Sequence, residues 1–257
     1  MVYSVDDIAV MREGGQRLAR VLNEVVAMVA PGVTTADLDA HAAERMRALG
    51  GEPSFLGYTG SGVTPFPSTL CTSVNREVVH APAVPGRVLQ EGDIVGLDIG
   101  MRYPAKQGFC TDMAMTVGVG QISSEASRLI QVTREALELG IQAAQPGRRV
   151  SDISRVIQQH VEGAGFSVVY DFVGHGVGRH VHEPPEVPNF VIKGPIANYR
   201  LTPGLVIAIE PMVNAGKPSV KTTSDQWTVV TKDKSLSAQF EHTIAITESG
   251  SKVLTAL

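Results

Sequence analysis

The sequence predicts an α+β fold built from two copies of a helix-helix-strand unit, related by a pseudo-twofold axis. Three observations carry this expectation. The segment "PGVTTADLD" (31–39) returns as "PGRRVSDIS" (146–154) at an offset of 115, matching Asp37 with Asp152 and Leu38 with Ile153. The run "LQEGDIVGLDIG" (89–100) returns as "LTPGLVIAIEPM" (201–212) at an offset of 112, setting Gly92 on Gly204 and Asp98 on Glu210. "CTDMAMT" (110–116) returns as "FEHTIAIT" (240–247), setting Asp112 on Glu241. One such match could arise by chance; three in the same order are harder to dismiss. The expected halves are about 1–120 and 121–257 of a single domain spanning 1–257.

The elements follow in order. Ser4 with Asp7 three residues on resembles a capping box, and Ile8, Met11, Leu18, Leu22, Val25 and Val29 recur at helical spacing until Pro31-Gly32. A second helix follows Thr34 or Thr35, with Leu38, Ala42, Met46 and Leu49 on one face and Gly50-Gly51 as its stop. Ser123 or Ser124 starts a third, carrying Leu129, Val132, Ala136 and Leu139 and ended by Pro146-Gly147. Ser151 is expected to cap a fourth, with Ile153, Ile157 and Val161 inward and a stop near Gly163 and Gly165. The apolar runs ending in Asp98 and Glu210 read as buried strands.

Composition narrows the function classes. The 257 residues suffice for a sizeable core, with 43% hydrophobic and 19% charged residues. A formal net charge of -4 and the lack of a clustered basic face argue against nucleic acid as a partner. Two cysteines, Cys71 and Cys110, exclude a disulfide framework and fit a reducing compartment. The N-terminus has no basic region followed by an apolar run, so no signal peptide is expected, and no apolar stretch approaches the roughly 18 residues of a membrane span. The expectation is a cytoplasmic protein with no membrane partner.

The duplication delivers four carboxylates, Asp98, Asp112, Glu210 and Glu241, each within or at the end of an apolar run. A single such acid reads best as a hydrogen-bonded polar residue at a strand end. Four that converge would repel one another and be forced to take up protons. Metal cations remove that cost, and two divalent ions balance four carboxylates. A nitrogen ligand is expected beside them, and "GHGVGRHVHEPP" (174–185) supplies His175, His180 and His182. Alone, that segment reads as a glycine-rich loop with exposed histidines. Beside four acids, a metal ligand is the better reading. One histidine among oxygen ligands suits Mn(II), Fe(II) or Co(II), with Zn(II) also acceptable. Two such ions, roughly 3.5–4 Å apart, can share one water, lower its pKa and clamp a tetrahedral intermediate, which suits amide hydrolysis.

"GHGVGRHVHE", "IEPM" (209–212) and "WTVVTKDKSLSAQFEHTIAIT" (227–247) resemble the methionine aminopeptidases of type I, and the resemblance runs from about residue 3 to the end. It implies the pita-bread fold: helices outside, a curved antiparallel sheet inside, and a metal site between the halves. It implies two divalent ions, with Asp98 on one, His175 and Glu210 on the other, and Asp112 and Glu241 bridging. It implies that Glu210 serves as general base, that His80 contacts the scissile amide or leaving amine, and that His182 hydrogen-bonds the substrate carbonyl oxygen. Phe55, Tyr58, Cys71 and Trp227 match the apolar methionine pocket, suited to a soft thioether. The implied reaction is attack of a dimetal-bound hydroxide on the first peptide bond, removing the N-terminal methionine of nascent polypeptides. A nascent chain as substrate allows transient ribosome association, although no dedicated ribosome-binding segment is evident. A monomer is expected. His180 matches no functional position, and His41, His160 and His242 read as surface or satisfied polar residues.

Three departures from the family pattern bear on this. Asp98 and Asp112 lie fourteen apart, about three more than usual; the excess falls in "MRYPAKQG", which reads as a hairpin turn. A slip of one residue there would turn Asp112 to the other face. The loop "TGSGVTPFPST" (59–69) is about five residues longer than usual, Ser61 stands where an aromatic is often found, and Phe66 is the candidate to replace it. Val181 stands where phenylalanine is common, which predicts a wider pocket. The alternatives are a proline-specific peptidase of the same fold and a non-enzymatic binding protein. The first usually carries a large N-terminal domain, for which a helix starting near residue 4 leaves no room. The second predicts broken ligands, and all five are present. A type II enzyme would need a large insertion, whereas only 30 residues separate Glu210 from Glu241.

Overall fold

In a computed structural model describing residues 1–60 and 64–257, the paired helices start on caps that the chain supplies. Ser61 lies outside the described residues. The Ser4 hydroxyl accepts from the Asp7 N–H and the Asp7 carboxylate accepts from the Ser4 N–H, opening α1 (Val5–Met28). Thr34 and Asp37 repeat the arrangement at α2 (Thr35–Ala48). Ser123 caps α3 (Ser124–Ala143) through the Ala126 N–H. At α4 (Val150–Gly163) the expectation fails: Ser151 lies inside the first turn and Arg149 is the N-cap. A guanidinium cannot accept, so only the return half of the box remains, the Asp152 carboxylate accepting from the Arg149 N–H at 3.0 Å. On α3, Leu137 rather than Leu139 is buried, because Thr133, Leu137 and Gly140 share the inward stripe.

The strands are β1 (Glu52–Pro53), β2 (Leu70–Val74), β3 (Glu77–Val79), β4 (Ile94–Tyr103), β5 (Phe109–Gly118), β6 (Ser167–Val168), β7 (Gly174–Gly176), β8 (Glu183–Val187), β9 (Val206–Ile209), β10 (Met212–Asn214), β11 (Val220–Thr222), β12 (Val229–Thr231), β13 (Ser237–Gln239), β14 (Glu241–Thr247) and β15 (Gly250–Val253). The main sheet runs β1-β4-β5-β14-β9-β7-β8, with β2 added on β4 and β15 on β14. Two smaller sheets, β13-β10-β6 and β11-β12-β3, flank it. Every pairing among these strands is antiparallel.

The halves repeat down to single hydrogen bonds. Gly32 N–H donates to Leu89 O and Gly147 N–H to Leu201 O, both at 2.8 Å; Leu89 N–H returns to Val33 O and Leu201 N–H to Arg148 O, both at 2.9 Å. The matched Gly92 and Gly204 have φ of +90° and +89°, a conformation that glycine adopts without strain. Strand register corrects one alignment. Asp98 pairs with Ala114, whereas extending the Ile209–His242 pairing by one residue sets Glu210 against Glu241. Glu241 therefore corresponds to Ala114, and Asp112 lies two residues off, which keeps it on the same face.

Strand alternation then places the acids. Leu97, Ile99, Met101 and Met113 pack into a core with Leu18, Leu22, Leu38 and Met46 of α1 and α2. Ile207, Ile209, Ile244 and Ile246 pack with Leu129, Ile153 and Ile157 of α3 and α4. Each such side chain contributes about 1.5–3 kcal/mol of burial. With alternate residues committed to the helices, Asp98, Asp112, Glu210 and Glu241 emerge on the opposite face. The long turn does not disturb this: ten consecutive pairs run from Ile94–Gly118 to Tyr103–Phe109, and Gly100 faces Asp112.

Candidate metal centre and adjoining slot

All eleven residues singled out from the sequence line one cavity: Phe55, Tyr58, Cys71, His80, Asp98, Asp112, His175, His182, Glu210, Trp227 and Glu241. The twelfth lining residue is Phe66. Asp98 and Asp112 come from the β4–β5 hairpin, and Glu210 and Glu241 from just past the end of β9 and the start of its partner β14, so each half contributes two. His175 sits mid-strand in β7. Cys71, in β2, faces Asp98 across the β2–β4 pairing.

The acids are buried, with Asp112 and Glu241 at 3% and 2% exposure. Asp98 Oδ1, Asp112 Oδ1 and Glu241 Oε1 have no hydrogen-bond partner. Burial pushes the Asp98 carboxyl up to about 7. Burial, reinforced by the neighbouring acids, holds Asp112, Glu210 and Glu241 well above the usual carboxylate range. An isolated set of this kind can exist only by binding protons or cations.

His175 adds a nitrogen donor to this set. Its Nδ1 lies 2.9 Å from Gly176 O, an acceptor only, so Nδ1 carries the proton and Nε2 presents a lone pair. That Nε2 is 3.5 Å from Glu210 Oε1. Burial, followed by the nearby His182, lowers the imidazole to about 3, so the contact is not an ion pair at neutral pH. The Nε2 lone pair and the Glu210 oxygen are close enough to share one cation. One ligating atom each from Asp112, His175 and Glu241 falls within 4.8 Å of the others. Lone pairs, orphaned oxygens and a mixed imidazole–carboxylate set fit a divalent transition ion.

Three supports were not foreseen. The Gln239 side-chain amide donates to Glu210 Oε2 at 3.2 Å and also steadies Asp98. Its signal was the every-second-residue spacing of Gln239, Glu241 and Thr243 along the chain, across the junction of β13 and β14. Buried Asn189 donates to the Glu210 carbonyl at 3.0 Å. Tyr58, expected only as a wall of the pocket, places its hydroxyl 2.8 Å from His182 Nδ1.

The rest of the cavity is apolar. Phe66 stacks edge-on against Trp227 at 5.2 Å and lies 6.5 Å from Phe55, also edge-on. Two backbone hydrogen bonds, Phe66 N–H to Tyr58 O and Gly57 N–H to Phe66 O, both 2.8 Å, clamp the long loop here. Phe66 is thus a wall of the slot. Trp227 is presented by a turn that the Asp225 carboxylate holds through the Trp227 and Thr228 N–H groups. Val181 differs from expectation: it points into the core beside Met11 and Phe55 rather than lining the cavity, because alternation along 180–182 turns His180 and His182 outward. His80 lies edge-on to Phe172 at 5.4 Å, and burial, then His182, lowers it to about 4. His41 pairs with Glu24, His160 with Glu135 and His242 with Thr255, away from the cavity. No helix among the described residues is long and apolar enough to cross a membrane.

A model of metallopeptidase family M24 matches residues 9–248. The chain is 48% identical over 253 residues to a methionine aminopeptidase of Clostridium perfringens, covering 98% of this chain and 97% of that protein. It is similar to the crystal structure of a methionine aminopeptidase from Thermotoga maritima, with a TM-score of 0.93 and 41% identity over 100% of this chain and 99% of that one. A prolidase from Pyrococcus horikoshii shares the fold at a TM-score of 0.78 and 21% identity, with 63% of its chain covered.

Proposed function

The chain belongs to metallopeptidase family M24, and on that premise we propose that it removes the N-terminal methionine from peptides and nascent proteins by metal-dependent hydrolysis, with residues 1–257 acting as one catalytic domain. The observation that carries this reading is the convergence, in one cavity, of four buried acids and His175 with a slot walled by Phe55, Phe66, Cys71 and Trp227. Asp98, Asp112, His175, Glu210 and Glu241 would hold two divalent ions, drawn from Co, Mn, Fe(II) or Zn. When bound, the ions supply Lewis acidity that lowers the pKa of a water and draws charge from the scissile carbonyl.

The remaining chemistry falls to the chain. The slot binds the thioether side chain and excludes water from it. Glu210, positioned by Gln239, accepts a proton at its carboxylate. His182 donates from Nε2 to the carbonyl oxygen as negative charge develops there. A neutral imidazole has one N–H, so Nδ1 must accept, and the Tyr58 hydroxyl is placed to donate to it. His80, kept neutral by burial, contacts the scissile amide. The substrate is met in the cytoplasm by a monomer in transient association with the ribosome, without nucleic acid or membrane as partner.

Hydrolysis of Met-Ala-Ser and Ala-Pro by chelator-treated protein, with Mn(II), Fe(II) or Co(II) restored, tests this. Metal-dependent release of methionine is expected. Cleavage of Ala-Pro alone would move the chain to the proline-specific branch of the family, and cleavage of neither would point to a binding role.

A further inference from the structure

His175 and His182 bound a loop, 176–181, and among the described residues two side chains from outside it accept from its backbone N–H groups: Glu183, just beyond the loop, and Tyr3, at the start of the chain. Tyr3 is 6% exposed, and its N–H donates to Gly204 O at 2.8 Å. Its ring stands edge-on to Phe109 at 5.6 Å. Its hydroxyl donates to Glu183 Oε2 at 2.8 Å and accepts from the Arg179 N–H at 3.0 Å. The other Glu183 oxygen accepts from the His180 N–H at 2.8 Å. A phenol and a carboxylate therefore hold consecutive amides, and the carboxylate belongs to the residue after His182. The fit is close: a Cβ at Gly178 would lie 2.0 Å from the Tyr3 hydroxyl oxygen, so only glycine passes beneath it. Burial raises the phenol above its ordinary range, so it remains a donor.

We propose that Tyr3 is a positioning residue for His182, acting through Glu183 and the Arg179 amide. Glu183 opens β8 opposite Gly176, so fixing its carboxylate fixes the strand end that presents His182 at the mouth of the cavity. Tyr3 itself does not line the cavity. The role rests on the reading that the site releases methionine, and it adds that the first residues of the chain form part of the catalytic apparatus at a distance.

Tyr3→Phe keeps the ring on Phe109 and removes only the hydroxyl. Loss of a hydrogen bond to a charged group predicts a fall in kcat of about tenfold, with KM for Met-Ala-Ser changed less than about twofold. Combined with His182→Ala, the substitution should cost nothing further, because its effect passes through His182. Amide hydrogen exchange across 178–183 should quicken in Tyr3→Phe about tenfold, with the rest of the molecule unchanged. Unaltered kcat and exchange would overturn the proposal. Losses that multiply with those of His182→Ala would also overturn it, by showing that Tyr3 acts elsewhere. Should the parent protein release no methionine, the functional reading fails, and the exchange measurement alone then decides whether Tyr3 fixes the loop.

Discussion

Tyr58 carries two jobs in one side chain, and they separate experimentally. Its ring lines the slot and its hydroxyl meets His182 Nδ1. Tyr58→Phe keeps the first and removes the second, so the imidazole is free to hold its proton on the wrong nitrogen. The expected result is a kcat lower by about tenfold with KM nearly unchanged, measured on Met-Ala-Ser. A raised KM with normal kcat would show that the hydroxyl serves binding alone. This bond joins residues 124 apart, and no local pattern in the sequence announces such a pair. The acids were legible for the opposite reason: an unpaired carboxylate in an apolar run contradicts its surroundings, and four contradictions at matched positions demand a common cause. Gln239 is intermediate. It stands two residues before Glu241, but an amide raises no such contradiction and passes unnoticed.

The two halves meet at β5 and β14, and their pairing is short. It comprises Glu241–Ala114 and His242–Met113, beyond which the strands diverge. At the divergence the Thr243 hydroxyl replaces the missing ladder: it accepts from the Asp112 N–H at 2.9 Å and donates to the Asp112 carbonyl at 2.8 Å. Thr243→Val preserves shape and strands both groups in a buried setting. The expected cost is about 1–3 kcal/mol, read from the shift of a urea unfolding midpoint, with weakened metal retention as Asp112 loosens. A neutral effect would mean that the hairpins hold Asp112 unaided. Helix starts were legible where Ser or Thr precedes Asp by three residues. At α4 the same logic chose Ser151 because it is a good capping residue, whereas register with the first half puts Arg149 in the cap. The two small sheets were invisible: their strands are two or three residues long, too short to show a period.

For the whole molecule, the site is a charge problem that folding creates and cations resolve. In metal-free protein the folded-state pKa values of the four acids lie above their unfolded values, Asp98 at about 7. Such groups contribute stability that is full below the unfolded pKa and is lost as pH rises through the folded one. His175, at about 3, and His80, at about 4, lie below the ordinary 6.5 and act in the opposite sense, losing stability as pH falls from 6.5. Between about pH 7.5 and 9 the histidines are nearly neutral in both states and the acids alone speak. Denaturation with chelator present should therefore show stability falling across that window, by an amount on the order of a few kcal/mol. Added Mn(II) should restore it, with proton release seen by calorimetry in buffers of different ionisation enthalpy. Equal stability at both pH values, with and without metal, would contradict the account.

The central claim is that these buried acids drive the reaction rather than merely fill the cavity. The most direct test is the kcat of Glu210→Gln on Met-Ala-Ser, with bound metal counted in the same sample. Glutamine keeps the shape and a ligating oxygen but takes up no proton at neutral pH. A loss of about 10²–10⁴-fold with metal still bound is the result predicted. Near-normal turnover with the metal complement intact would contradict it.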